Sequence, residues 1–460
     1  MRGVRRLGSA DPRGLRLGLL AAILAGAVAG GVALRAQTAT TATATTLRIW
    51  YGTEDATEVP WAHQLAQRFM AQQRSVHVTL TTYNLDDLNN KMQLALSAGI
   101  PPDLVYTTPR GPGLPAYVRA GKLLDLTSAA RQRGWAAQLR PGLLAEYNRL
   151  LAANGGGRDA GHIYAVPYHL AAVAMMYNKT LFAQLHLQIP RTLAALQAML
   201  PRIKRAGLTP LGLGNADGWL GDDWWLTLVN ASVPPSSLEP ALHLSPAFSF
   251  DRPVYRQAAA TLQDWARHGY FTHNFGGLDA QDGVEVFFEG KTAMQLVSST
   301  ENSQILSLVR ARKLDVGIFP FPSARAGQPP VMPQSGYEGW AIPRAAHNPT
   351  AALDFISYVT SAQTAALLLA HGMLPAHRLD VRTAHTAAPF QREYLGALNL
   401  ATPGVYLDAA PIPNINATME ANIQLLLQGY ETPAFLSRSL QQVYASRGAK
   451  AMSTRTDGEF

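Results

Sequence analysis

Between residues 47 and 108 the hydrophobic period switches repeatedly between two and about 3.6, and this alternation restricts the chain to an α/β architecture. LRIW (47–50) predicts a strand that the loop YGTED ends. Pro60 then opens a helix whose Trp61, Leu65 and Phe69 share one face. VHVTLTTY (76–83) returns to period two. LDDLNNKMQLALSAG places Leu85, Leu88, Met92 and Leu96 at helical spacing and ends on Gly99, a C-cap glycine. PPDLVYTT follows as a short buried strand. Strand, helix, strand, helix, strand is the rhythm of a mostly parallel sheet covered by helices.

The rhythm resumes further on. AYVRAGKLLDLTSAARQRGW reads as helical and then turns, and GGGRDAG (155–161) as a loop tip. Residues 163–177 are rich in β-formers and lead to an Asn-Lys-Thr turn and a helix ending near His186. TLAALQAMLPRIKRAG predicts an amphipathic helix interrupted by Pro201. No repeat with a period of 20–50 residues is present. With 460 residues and 47 % hydrophobic content, the chain carries enough apolar surface for a large core of two or three domains' worth.

The formal net charge of +8 suggests nucleic acid until it is located. Arg2, Arg5, Arg6, Arg13, Arg16 and Arg35 against Asp11 supply +5 of it within the first 36 residues. The remaining +3 forms no basic stripe, so no nucleic-acid partner is expected. The arginines instead flank residues 17–34, an uncharged apolar stretch, which is the pattern of an export signal. Its 18 residues are near the minimum for a bilayer span, so a cleaved signal peptide and an uncleaved anchor both fit. QTATTATATT (37–46) reads as a linker, which makes 1–46 a signal or anchor segment with its tether. The absence of cysteine excludes disulfides, thiolate metal sites and cysteine nucleophiles.

Catalytic signatures are missing: there is no P-loop, dinucleotide fingerprint, GxSxG or HExxH. His268 and His273, five residues apart, fit a surface or core pair better than a metal site, and Glu285 with Glu289 fits a solvated helix face. No catalytic residue, metal or cofactor is expected. Aromatic and acidic residues cluster instead in loops at strand ends, where open α/β sheets bind ligands. These loops are YGTED, TTPRGPG, SGYEGW and GNADGWLGDDWW. Flat rings cover the apolar faces of a sugar while carboxylates and arginine satisfy its hydroxyls.

Seven stretches in order then resemble one family. LRIW with its following helix resembles the family's opening strand, and LSAGIPPDLVY its glycine–Pro-Asp segment. YVRAGKLLDLT, HIYAVPYHLAAVAMMYNKTLF, FFEGKTAMQLVSST, GIFPFP with GYEGWAIPRAAHNPTAALDFISYVTS, and HGMLPAH continue the match. The chain thus resembles the extracellular solute-binding proteins of ABC sugar importers, the maltodextrin-binding-like group called family 1. Two departures stand out. Ser298-Ser299-Thr300 occupies the place of a common Gly-x-Trp, and no cysteine is available for lipid modification.

The resemblance implies an α/β, two-lobed periplasmic-binding-protein-like fold, each lobe a mixed, mostly parallel sheet flanked by helices, with a ligand cleft between the lobes. Matching positions put hinge crossings near 165–169, 294–296 and 336–341. Residues 47–165 and 296–338 would form the first lobe, and 166–295 and 339–460 the second. The implied ligand contacts are Glu54, Asp55, Tyr106, Thr107, Arg110, Tyr168, Trp219, Trp224, Ser299, Thr300, Tyr337, Glu338 and Trp340. The implied function is capture of a mono- or oligosaccharide by an exported monomer that closes about its hinge and delivers the sugar to the permease of an ABC transporter. Two alternatives stay open. Arg110 would suit a glycerol-phosphate-type solute. A glycan-acting enzyme on a two-lobed scaffold would use opposed carboxyls drawn from Glu54, Asp222 and Glu338.

Overall fold

The computed structural model describes residues 45–53, 59–108, 113–154, 161–385, 387–407, 410, 412 and 414–456. The apolar segment 17–34, the linker up to residue 44 and the greater part of the glycine-rich tip lie outside the described residues. Ten strands are present among them: β1 (Thr45–Thr53), β2 (Val76–Asn84), β3 (Leu104–Thr107), β4 (Ala165–Asn178), β5 (Thr209–Gly212), β6 (Thr292–Ser298), β7 (Val316–Phe319), β8 (Val331–Ala341), β9 (Leu374–Pro375) and β10 (Thr402–Gly404).

The opening alternation folds as its periods require. β1 lies parallel between β2 and β3, and the helices Val59–Gln72 and Leu85–Ala98 connect them. Asn84 caps the second helix by accepting from the Asp87 amide at 2.8 Å, and Gly99 ends it at φ 74°. The Pro-Asp segment has a structural purpose. Asp103 is fully buried and accepts from the backbone N–H of Arg48, His347 and Asn348 at 2.9, 2.8 and 3.0 Å. One carboxylate therefore joins β1, β3 and the start of the helix Pro349–Val359.

β4 is the axis of the molecule. The strand order is β2-β1-β3-β8-β4-β6-β5, with β7 and β9 also on β4 and β10 on β8. From Ala165 to Ala172 β4 pairs antiparallel with β8, and from Val173 onward with β6, while β7 pairs with it from Met175. Two half-sheets thus share one strand, and β5 runs parallel to β6 in the second. Alternate residues of β4 face opposite cores. Ala172, Ala174 and Met176 belong to one, Val173 and Met175 to the other. Both faces are covered, which is why this stretch reads as an almost unbroken apolar run.

The helix Pro349–Val359 packs against the opening half-sheet, where Phe355 meets Phe69 at 5.1 Å and Trp340 at 5.4 Å, and β7 pairs with β4 in the second half-sheet. Two local expectations change. The helix Leu193–Arg205 runs through Pro201 without a break. Burial of Leu196, Met199, Leu200 and Ile203 on its inner face offsets the lost backbone hydrogen bond. The strand ladder is also less parallel than the opening suggests, because β8 returns antiparallel to both β3 and β4.

Candidate functional site

A cavity of about 580 Å³ opens where the two cores meet: Met373 from the first and Leu226 and Met419 from the second share its wall. Its floor is the middle of β4 and β8. The β4 ladder slips on either side of His169, and this bulge sets His169 opposite Glu338. The two side chains are buried and share a hydrogen bond between Nε2 and Oε2. Burial pushes the His169 imidazole down to about 3, which disfavours its charged form.

The end of β6 forms the next wall. Ser298 caps the turn that follows, accepting from the Thr300 amide while Glu301 Oε2 accepts from the Ser298 amide at 2.9 Å. Ser299 Oγ donates to the Leu170 carbonyl and accepts from the Ala172 amide, both at 3.1 Å, which fastens this turn to β4. Thr300 is exposed at the rim. Glu301 is buried, and its Oε1 has no hydrogen-bond partner among the described residues. Burial, reinforced by Asp223 and Asp217, raises its carboxyl to about 8. At neutral pH it is largely protonated and can donate as well as accept.

The helix Trp219–Ser232 presents a stripe to the cavity at positions i, i+3, i+4 and i+7: Trp219, Asp222, Asp223 and Leu226. Asp217, Asp279, Gln281, Ser303, Gln304, Glu420 and the ring of Tyr406 add to the lining. Seven carboxyl groups thus converge (Asp217, Asp222, Asp223, Asp279, Glu301, Glu338 and Glu420), with no lysine or arginine among the described lining residues. Trp219 and Tyr406 are the aromatic rings on the described wall.

Of the residues singled out in the sequence, Trp219, Ser299, Thr300 and Glu338 line this cavity. Four others with described side chains pack away from it, as does Thr107. Trp340 is 1 % exposed and touches Tyr51, Tyr106, Tyr168 and Phe355 with ring centroids 5.4–6.0 Å apart. Tyr106 and Tyr168 belong to that same aromatic cluster, and Tyr168 shares a hydrogen bond with Tyr51 between their hydroxyls. Trp224 packs against Trp265, Phe271 and Phe321 inside the second core. It is five residues from Trp219 and so falls on another face of their helix. Thr107 is buried at the end of β3, its carbonyl accepting from the Tyr147 hydroxyl at 3.2 Å. Glu54, Asp55 and Arg110 lie outside the described residues, as does the side chain of Tyr337.

Sequence reasoning missed His169, Asp217, Asp279, Gln281, Glu301, Tyr406 and Glu420. A helical-wheel view of residues 219–226 would have separated the cavity stripe from Trp224. Nothing local marks Tyr406 or Glu420, which reach the site only through packing.

Comparison with known proteins agrees with this architecture. Residues 54–366 match the sequence model of the bacterial extracellular solute-binding proteins. A multiple sugar-binding protein of Streptococcus mutans serotype c is 21 % identical over 305 residues, which is 65 % of this chain and 68 % of that protein. Among solved structures, a chitin oligosaccharide binding protein superposes with a TM-score of 0.69 at 22 % identity, covering 88 % of this chain and 99 % of that one. RafE of Streptococcus pneumoniae superposes with a TM-score of 0.68 at 19 % identity, covering 87 % and 97 %. A RafE structure in complex with raffinose gives 0.67. At these identities the likeness establishes the two-lobed fold.

Proposed function

The chain belongs to the bacterial extracellular solute-binding protein family, and we propose that it captures a neutral carbohydrate in the cavity between its lobes and delivers it to the permease of an ABC importer. The observation that carries this reading is the lining itself. A cavity of about 580 Å³ falls within the usual range for small-molecule sites, and its polar groups surround two flat rings. Trp219 and Tyr406 can cover a pyranose face, while Glu338, Asp222, Asp223 and protonated Glu301 can bond hydroxyls at its equator. RafE holding raffinose and the chitin oligosaccharide binding protein, which share the fold, support a sugar as the ligand.

The same lining argues against a sugar phosphate. Apart from the protonated Glu301, six carboxyl groups line the cavity without a described cation, an arrangement that disfavours a phosphate. Nothing in this function calls for bond breaking: capture and release need only a ligand that favours the closed arrangement of two lobes over the open one. We place the folded body outside the cytoplasm as a monomer, held or exported by residues 17–34.

A thermal-melt screen of the purified protein against neutral mono- and oligosaccharides, amino sugars and sugar phosphates tests the reading. A cognate sugar at 100 times its dissociation constant should add about 2.7 kcal/mol of stability. If no neutral sugar raises the melting temperature, or if only phosphates do, the proposal fails. Hydrolysis of the hit by the purified protein would point to the enzyme instead.

A further inference from the structure

The edge of the opening half-sheet at which β1 begins gathers exposed cations from several loops. β1, β2 and β3 run parallel and β8 antiparallel to β3, so the C-terminal end of β8 meets the N-terminal ends of the other three there. The Thr45 amide donates to the Ser75 carbonyl, and Asn348 Nδ2 to the Thr46 carbonyl, both at 2.9 Å. Arg48 Nη2 donates to the Pro101 carbonyl at 2.7 Å and lies 3.0 Å from His347 Nδ1. The Arg344 amide donates to the Lys122 carbonyl at 2.8 Å, beside the bridge between Leu123 and Pro343. These bonds tie residues 45–48, 73–77, 99–103, 120–123 and 343–349 into one surface.

Charge on this surface is one-sided. Arg74, Lys122 and Arg344 are exposed and form no ion pair among the described residues. His77 and His347 are exposed beside them. Asp103, the one carboxylate in these segments, is fully buried and already holds three backbone amides and Arg48 Nε. Asp125, a little further along the chain from Lys122, accepts from the Thr127 amide at 2.8 Å and pairs with His162 at 2.7 Å. An apolar feature adjoins the cations. Ile100 is 65 % exposed, and its amide donates to the Ala95 carbonyl at 3.0 Å, on the helix end where Leu94 is 71 % exposed. Cations beside exposed aliphatic side chains suit a bilayer surface, where phosphates take the charge and the interface takes the apolar groups.

We propose that this edge is a docking surface for anionic phospholipid headgroups, against which the folded body rests with its sugar cavity uncovered. Chain length argues for this occupant. Residues 35–44 separate Thr45 from the apolar segment 17–34, and ten residues reach at most about 36 Å when fully extended. An anchor formed by that segment therefore keeps the start of β1 close to a membrane. No residue of the five segments lines the sugar cavity, so docking and sugar capture can each fail without the other.

The chain has no cysteine, so one introduced thiol is a unique labelling site. Ala345→Cys, exposed at the edge, and Tyr430→Cys, at a position 77 % exposed just before the helix Pro433–Thr456, each carry a fluorophore in the full chain. Both are reconstituted in phosphatidylcholine vesicles, with and without phosphatidylglycerol, that contain a headgroup spin-labelled lipid as quencher. Phosphatidylglycerol should increase quenching at position 345 and leave position 430 unaffected. Salt at 1 M, where the Debye length is about 3 Å, should reverse the increase. Each cation near an anionic surface contributes about fivefold to association, so Arg74→Gln, Lys122→Gln and Arg344→Gln combined should abolish it. The urea midpoint of this triple variant should match the parent's, because all three side chains are exposed. The proposal is overturned if phosphatidylglycerol does not raise quenching at position 345 above that at position 430, or if the triple variant is quenched like the parent. A signal at position 345 that follows protein density at fixed lipid composition would assign the edge to a second copy of the chain and overturn it equally.

Discussion

At the scale of single residues, burial decides which aromatic rings are available to a ligand. Trp219 is on the cavity wall, whereas Trp340 is enclosed by Tyr51, Tyr106, Tyr168 and Phe355. Trp219→Ala should leave unfolding by urea nearly unchanged and weaken sugar binding more than tenfold. Trp340→Ala should instead lower stability by about 3–5 kcal/mol, the usual cost of emptying a large core site. If Trp340→Ala unfolds like the parent and loses only affinity, the ring belongs to the cleft after all. Glu301 adds a pH dependence. Its carboxyl is raised to about 8 by burial, with Asp223 and Asp217 adding to the shift. A raised carboxyl stabilises the fold while it keeps its proton, and this contribution is complete below the ordinary glutamate value. It is lost as pH climbs from about 4.5, the unfolded value, to about 8. Glu301→Gln retains an acceptor for the Ser298 amide, so its melting temperature should vary less across that window. Parallel melting curves for the two proteins from pH 5 to 9 would contradict this.

Elements matter here chiefly through β4 and β8. The glycines of SGYEGW suggest a backbone that bends or approaches ligand, and the structure gives them a different reason. A Cβ on Gly339 would stand 2.8 Å from the Val166 carbonyl oxygen and 2.9 Å from the Tyr147 hydroxyl. One on Gly336 would meet the Tyr147 ring at 2.5 Å. These glycines let the helix Leu143–Asn154 and β4 press onto β8. Gly339→Ala should therefore cost about 1–3 kcal/mol through overpacking, read as a lower urea midpoint with an unchanged slope. A variant as stable as the parent would show that β8 has slack, as a flexing segment would. Ser299, expected as a ligand contact after the GKTAM strand, lines the cavity and also has a structural task, since its hydroxyl ties the turn after β6 to β4.

For the whole molecule, two half-sheets joined along β4 create a cavity whose walls come from both cores. Closure on a sugar should reduce the radius of gyration measured by small-angle X-ray scattering, with the Trp219→Ala variant showing the change only at higher sugar concentration. Saturation with sugar at an unaltered radius would rule out hinge closure as the capture step. The sequence alone determined the α/β class and the opening β1–β3 unit, because hydrophobic period, caps and glycine stops act within a few residues of themselves. It also marked the Pro-Asp segment, Trp219 and Glu338. Tertiary structure decided the rest. Asp217, Asp279, Glu301, Glu338 and Glu420 are spread over some 200 residues of chain and become one acidic wall only when both half-sheets are packed. Likewise, Trp219 and Trp224 are chemically identical neighbours on one helix, and only the packing of that helix sends one ring to the cavity and the other to the core. Local pattern fixes what an element is; the faces it buries depend on partners that the local pattern does not contain.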